Sequence, residues 1–205
     1  MFIPDIKYNR APTMMTQSIP YTAVLTCHPG TSNRWVHGIE ARVGWTERGS
    51  LAITYFLKGD IARLRIPSRR SPRRADRLWQ HTCFEVFLAV NGQLIYYEFN
   101  FSPSGEWAAY AFKGYLDGGP LEDDGLHPEI AVRSAANSFE LEALVRLDRF
   151  LSITPQMPLR LGLSAVIEAN DGTLSHWALK HPPGKPDFHH PDSFVLELAL
   201  PDKSA

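Results

Sequence analysis

The chain has 205 residues, 44% hydrophobic and 21% charged, with a formal net charge of −1. That balance is ordinary for a globular protein and excludes a global field that would recruit nucleic acid or a membrane surface. No run of ~18 apolar residues is present to span a bilayer as a helix, and Cys27 and Cys83 are too few for a disulfide scaffold.

Residues 1–18 lack the charged-then-apolar order of a secretory signal and are expected to form a flexible extension. Residues 19–201 are expected to form a single all-β domain, an antiparallel, jelly-roll-like β-sandwich of about 10–12 strands. A cytoplasmic location is the expectation, although processing of a precursor would remove any signal. In that compartment two reduced thiols are the simpler state, with pairing of Cys27 and Cys83 left open.

Helical periodicity is almost absent. Short alternating or apolar runs recur between Gly, Pro, Asn and Asp. They predict strands near 21–27, 35–46, 51–58, 61–66, 83–90, 94–102, 106–113, 129–136, 138–147, 159–169, 173–180 and 194–200. Asn91-Gly92 predicts a two-residue hairpin turn, since a type I′ turn needs positive φ at both positions. In that register Leu88 faces Ile95, Val86 faces Tyr97 and Phe84 faces Phe99, a wholly apolar side. The other side sets Phe87 against Tyr96, Glu85 against Glu98 and Cys83 against Asn100. Like charges directly opposed in a sheet are destabilising, so a ligand, cation or water between Glu85 and Glu98 is expected. Asp171-Gly172 predicts a second hairpin, pairing Ile167 with His176 and Ala165 with Ala178. Leu161, Leu163, Ala165 and Ile167 then face the core, while Ser164, Val166, Glu168 and Trp177 face outward.

The segment LWQHTCFEVFL (78–88) places Trp79, His81, Cys83, Glu85 and Phe87 on one parity if the strand extends that far. A flat ring beside carboxylates and amides suits a sugar, whose C–H face stacks while its hydroxyls bond. Burial of Trp79 at a strand entrance fits the same pattern. The ordered set LWQHTCFEVFL, YYEFNFSPSGEW, LEALVRLDRF, LRLGLSAVIEAND and SHWALKHPPGKPDFHHPDSFVLEL resembles family-9 carbohydrate-binding modules and the related DOMON-like domains, over roughly residues 75–200. The resemblance implies a sugar slot between Trp79 and Trp177, with Glu85 bonding hydroxyls, Asn100 at a polar contact and Glu168 near another. It departs at Gln80 and His81, where the family carries acidic residues. His81 and Glu98 join the expected ligand-binding set on parity.

The Arg-rich stretch ARLRIPSRRSPRRADRL (62–78) reads as a solvated loop offsetting acids elsewhere, or as an anion clamp beside Trp79. His176, His181, His189 and His190 crowd the C-terminal fifth, but no spacing completes a known metal pattern. His176 is expected on the core side. No metal or cofactor is expected, and a ligand-binding, non-catalytic role leads. Two alternatives stand beside it. Glu85 and Glu98 could serve as paired acids of a glycoside-acting enzyme. A haem-binding module of DOMON type would need axial Met and His ligands, with Met157, between Pro155 and Pro158, as the methionine inside the fold. The expected partner is a small molecule or oligosaccharide, without nucleic acid or membrane. A purely structural role beside another protein is the remaining reading.

Overall fold

The computed structural model describes residues 20–121, 123, 125–147 and 158–199. The expected extension over 1–18 and Met157 lie outside these described residues. Among them are strands β1 (Tyr21–Cys27), β2 (Val36–Trp45), β3 (Leu51–Gly59), β4 (Cys83–Val90), β5 (Tyr96–Phe101) and β6 (Trp107–Gly114). The chain continues with β7 (Asp117–Pro120), β8 (Glu129–Ala135), β9 (Ser138–Val145), β10 (Leu159–Glu168), β11 (Leu174–Ala178) and β12 (Leu196–Leu198). Single 3-10 turns occur at Ile61–Arg63, Leu78–Gln80 and Pro191–Ser193.

Every strand pairing is antiparallel, in the order β7-β6-β5-β4-β10-β11-β1-β2-β3-β9-β8, with β12 added to β10. The path doubles over because β1 changes sheets partway along its length. Tyr21–Leu25 pair with β2, whereas Thr26 and Cys27 pair with Ala178 and Trp177 of β11. The two halves then face each other as a sandwich. Tyr55 of β3 donates its hydroxyl to the backbone oxygen of Glu85 at 2.6 Å, and its ring lies 5.1 Å from that of Phe84.

Alternation decides what fills the space between the sheets. Ile53, Tyr55 and Leu57 of β3 meet Phe84, Val86 and Leu88 of β4 and Leu161, Leu163, Ala165 and Ile167 of β10. Each fully buried large apolar side chain contributes ~1.5–3 kcal/mol through removal from water. β4 is buried along its whole length, which alternation alone does not explain. Its outer residues lie under a second cluster, in which Phe188 and Phe194 from the segment after β11 cover Phe87, Ala89, Tyr96, Tyr110 and Phe112. Gly162 makes this cover possible, because a Cβ there would meet Phe194 Cδ1 at 2.8 Å.

Both hairpins depart from the expected register. After Val90, Gln93 N–H closes a turn on the Val90 oxygen at 3.0 Å and Gly92 has φ +80°. The ladder resumes only at Ala89↔Tyr96, so the connection spans five residues. The register moves by two, and each side chain keeps its face. Glu85 therefore opposes Asn100, and Glu98 opposes Phe87. In the second hairpin Ala169 N–H donates to Thr173 O, and Gly172 has φ +85°. The loop is thus the three-residue type with glycine in the left-handed position. That one-residue shift turns β11 over relative to expectation. Ala165 pairs with Trp177 and Val166 with His176, so Trp177 enters the core and His176 faces outward. The strand expected at 61–66 is instead a 3-10 turn followed by the bridge Leu64↔Ala169. Cys27 and Cys83 are both free thiols.

Candidate functional site

The outer face of the second sheet carries the site. One cross-strand row reads Ala108, Asn100, Glu85, Ser164, Ala178. The adjacent row reads Tyr110, Glu98, Phe87, Gly162. Small side chains flank Glu85 while rings rise beside it, and the result is a cleft of about 360 Å³. That volume lies at the small end of ligand pockets. Trp79, Phe87, Tyr110, Phe112 and Phe188 give it aromatic surface, and Glu85, Glu98, His176, Asp187 and His189 give it polar groups.

Trp79 reaches the cleft from a 3-10 turn rather than from an extended strand. It remains 41% exposed, and its ring packs edge-on to Tyr110 at 5.9 Å. The turn is anchored by Glu168, which takes Arg65 Nη1 at 2.6 Å on one oxygen and His81 Nδ1 at 2.8 Å on the other. Thr82 Oγ1 adds a bond to the Arg65 oxygen and receives the Glu168 N–H. Glu168 and His81 thus position the segment that presents Trp79, and neither lines the cleft.

At the floor, Glu85 is 2% exposed. Ser164 Oγ stands 3.4 Å from its Oε2, while its Oε1 is buried with no hydrogen-bond partner. Burial pushes the Glu85 carboxyl well above the usual carboxylate range, and the neighbouring Glu98 pushes it further. Glu98 is raised to about 7 by burial, partly offset by a bond from Asn100 Nδ2 at 2.7 Å. Asn100 Oδ1 is buried and unpartnered. His189 Nδ1 lies 3.0 Å from Tyr96 Oη, and its Nε2 lies 3.7 Å from Glu98 Oε2. Burial lowers the His189 and His176 pKa values, so both imidazoles favour the neutral form.

Of the residues singled out from sequence, the structure brings Trp79, Glu85 and Glu98 together in the cleft, with Asn100 bonded behind Glu98. It separates Trp177, which is 4% exposed within the inter-sheet core and donates Nε1–H to Ser175 Oγ. The slot between Trp79 and Trp177 is therefore corrected, because the two rings lie on opposite faces of the second sheet. His176 takes the outward place expected for Trp177. Tyr110, Phe112, Asp187, Phe188 and His189 were not singled out as ligand contacts. The alternation of β6 hinted at the first two, but no local signal says that residues 186–189 fold back over β4 and β5.

The arginine-rich segment forms a strap, not an anion clamp. Arg70 and Arg73 pair with Glu106, Arg74 with Asp76, and Arg69 donates to the Ile130 oxygen. Backbone bonds fix the strap to Ser104 and Trp107. Burial would raise the Glu106 carboxyl, but Arg73, Ser104 and Arg70 together hold it below its ordinary value. Among the described residues no arginine lines the cleft. Among the described residues no group of three or more His, Cys, Asp or Glu is arranged to hold a metal ion, and no helix is long and apolar enough to cross a membrane.

Comparison with known proteins places this architecture. No protein-family model matches the sequence, and no curated protein matches it. Among solved structures, the chain is similar to a candidate carbohydrate-binding protein from Bacteroides uniformis, at 14% identity and TM-score 0.60, covering 86% of this chain and 84% of that one. It is also similar to a family-9 carbohydrate-binding module from Caldicellulosiruptor kristjanssonii. In complex with cellotriose that module aligns at 11% identity and TM-score 0.54, over 90% of this chain and 85% of that one. Its glucose complex aligns at 12% identity and TM-score 0.53, over 95% and 93%. At these identities the likeness is one of fold, and the fold is that of a family-9 module.

Proposed function

We propose that the protein is a non-catalytic binder of a small carbohydrate, held in the outer cleft with Trp79 against one face of the ring and Glu85 beneath it. The observation that carries this reading is Glu85 Oε1, buried at the floor of an aromatic-walled cleft without a hydrogen-bond partner. A buried polar atom left unpaired costs ~1–3 kcal/mol, and a ligand hydroxyl would remove that cost. The neighbouring unpartnered Asn100 Oδ1 adds a second acceptor. Solved structures of the same fold hold cellotriose and glucose, which supports a sugar over other ring-shaped ligands. Glu85 and Glu98 rise from adjacent strands on one floor, so they sit on one side of a bound ring. Glycosidase carboxyls instead flank the bond they cleave. A cleft of this volume suits a sugar ring or two rather than a macrocycle such as haem.

Calorimetric titration of glucose and cello-oligosaccharides is the direct test. Trp79→Ala should weaken binding by roughly 1–3 kcal/mol, ten- to hundredfold, through lost stacking area, with the fold intact. Trp177→Ala should instead lower unfolding free energy by ~3–5 kcal/mol, the cost of truncating a core ring. Unchanged affinity in Trp79→Ala would remove this site from consideration.

A further inference from the structure

We propose that the ligand carries a protonated amine, and that the cleft is built for an unacetylated amino sugar. This deepens the carbohydrate reading above and rests on it. Three carboxyl groups, Glu85, Glu98 and Asp187, line the cleft, and among the described residues no lysine or arginine does. Of the nearby guanidinium groups, Arg65 pairs with Glu168 and Arg74 with Asp76, Arg160 donates to the Phe194 and Pro191 oxygens, and Arg77 lies by Asp76. Asp187 is bonded by Tyr115 Oη and the His189 N–H. Glu85 is the carboxylate whose buried oxygen has no protein partner. Around it, β4 adds only the buried Cys83 thiol, β5 adds Tyr96 and Glu98, β6 adds Tyr110, and β11 and the covering segment add His176, Asp187 and His189. None of these supplies a positive charge: burial lowers both imidazole pKa values and raises those of Cys83 and both tyrosines.

An ammonium group meets both halves of this environment. Carboxylates accept its N–H donors in charge-assisted bonds, and the rings of Trp79, Tyr110 and Phe112 that line the cleft can attract a cation. Binding would also change protonation. With no cation present, burial and mutual repulsion shift Glu85 and Glu98 toward the protonated form. An ammonium beside them favours the ionised form, so a proton passes from carboxyl to solvent as the ligand enters. A neutral sugar makes no such demand.

The test is calorimetry of the full chain with glucosamine, glucose and N-acetylglucosamine. It is run at about pH 6, below the range where a sugar amine loses its proton, in two buffers of different ionisation heat. Glucosamine should bind about tenfold tighter than either neutral sugar, and it alone should release protons to the buffer. Glu85→Gln and Glu98→Gln should each narrow the preference. Equal or tighter binding of glucose or N-acetylglucosamine, or glucosamine binding without proton release, overturns the amine assignment while leaving a sugar site standing. Failure of all three sugars to bind overturns both readings.

Discussion

Glu98 shows how one side chain links the candidate site to stability. Its carboxyl rises from 4.5 to about 7 on folding, so the folded state favours the protonated acid. A raised folded pKa contributes stability that is complete below the unfolded value and is lost as pH climbs through the folded one. The window is therefore about pH 4.5 to 7. The buried imidazoles act in the opposite sense. Their lowered values contribute stability above pH 6.5 that fades as pH falls. Urea melts of Glu98→Gln against the parent between pH 5 and pH 8 report the Glu85–Glu98 pair, since the histidines are common to both and Glu85 titrates against Glu98. The variant should gain relative stability as pH rises, by a few kcal/mol at most, and a constant difference would contradict the assignment. Individual residues were legible in sequence where their own strand fixed their face. Glu85 and Phe87 are on the side that alternation gives them. Trp177 was not, because its face depends on whether the loop at Asn170–Gly172 has two residues or three, and a single residue turns the whole strand over.

Among elements, the covering segment between β11 and β12 does most to make the cleft. Residues 186–189 form part of its lining, and Phe194 seats on the bare backbone of Gly162. Gly162→Ala tests that seat. The added methyl would displace Phe194 and loosen the segment, at a cost of ~1–3 kcal/mol for overpacking. Affinity for the proposed sugar ligand should fall with it, and crystallography of the variant should show Phe194 moved. Unchanged stability and binding would mean that the segment accommodates the methyl freely. Sequence showed a Pro-, His- and Asp-rich stretch here but not its destination, because covering a sheet is a tertiary choice with no periodicity of its own. The arginine strap was read as a loop that offsets acids, and its pairs with Glu106 and Asp76 fit that description. Its docking along β6 depends on backbone bonds that no side-chain pattern announces.

For the molecule as a whole, evenly spaced short strands made the sandwich legible, whereas the order of those strands needed long-range pairing that spacing does not encode. One such pairing has a kinetic consequence. β1 belongs to both sheets, and its last residues meet β11 across 152 positions of sequence, where Thr26 Oγ1 bonds the Ala178 oxygen. The β1–β2–β3 meander joins neighbours and closes at small entropic cost, whereas the seam closes a far longer loop and is expected to form later. Contacts absent from the rate-limiting barrier govern escape from the native state rather than entry to it. Thr26→Ala, which deletes one bond worth ~1 kcal/mol, should therefore speed unfolding about fivefold and leave the refolding rate almost unchanged. A slowed refolding limb in stopped-flow experiments would instead place the seam in the folding nucleus. If the seam closes late, it is also the first to open, and the native lifetime of both sheets hangs on the two residues by which one strand crosses between them.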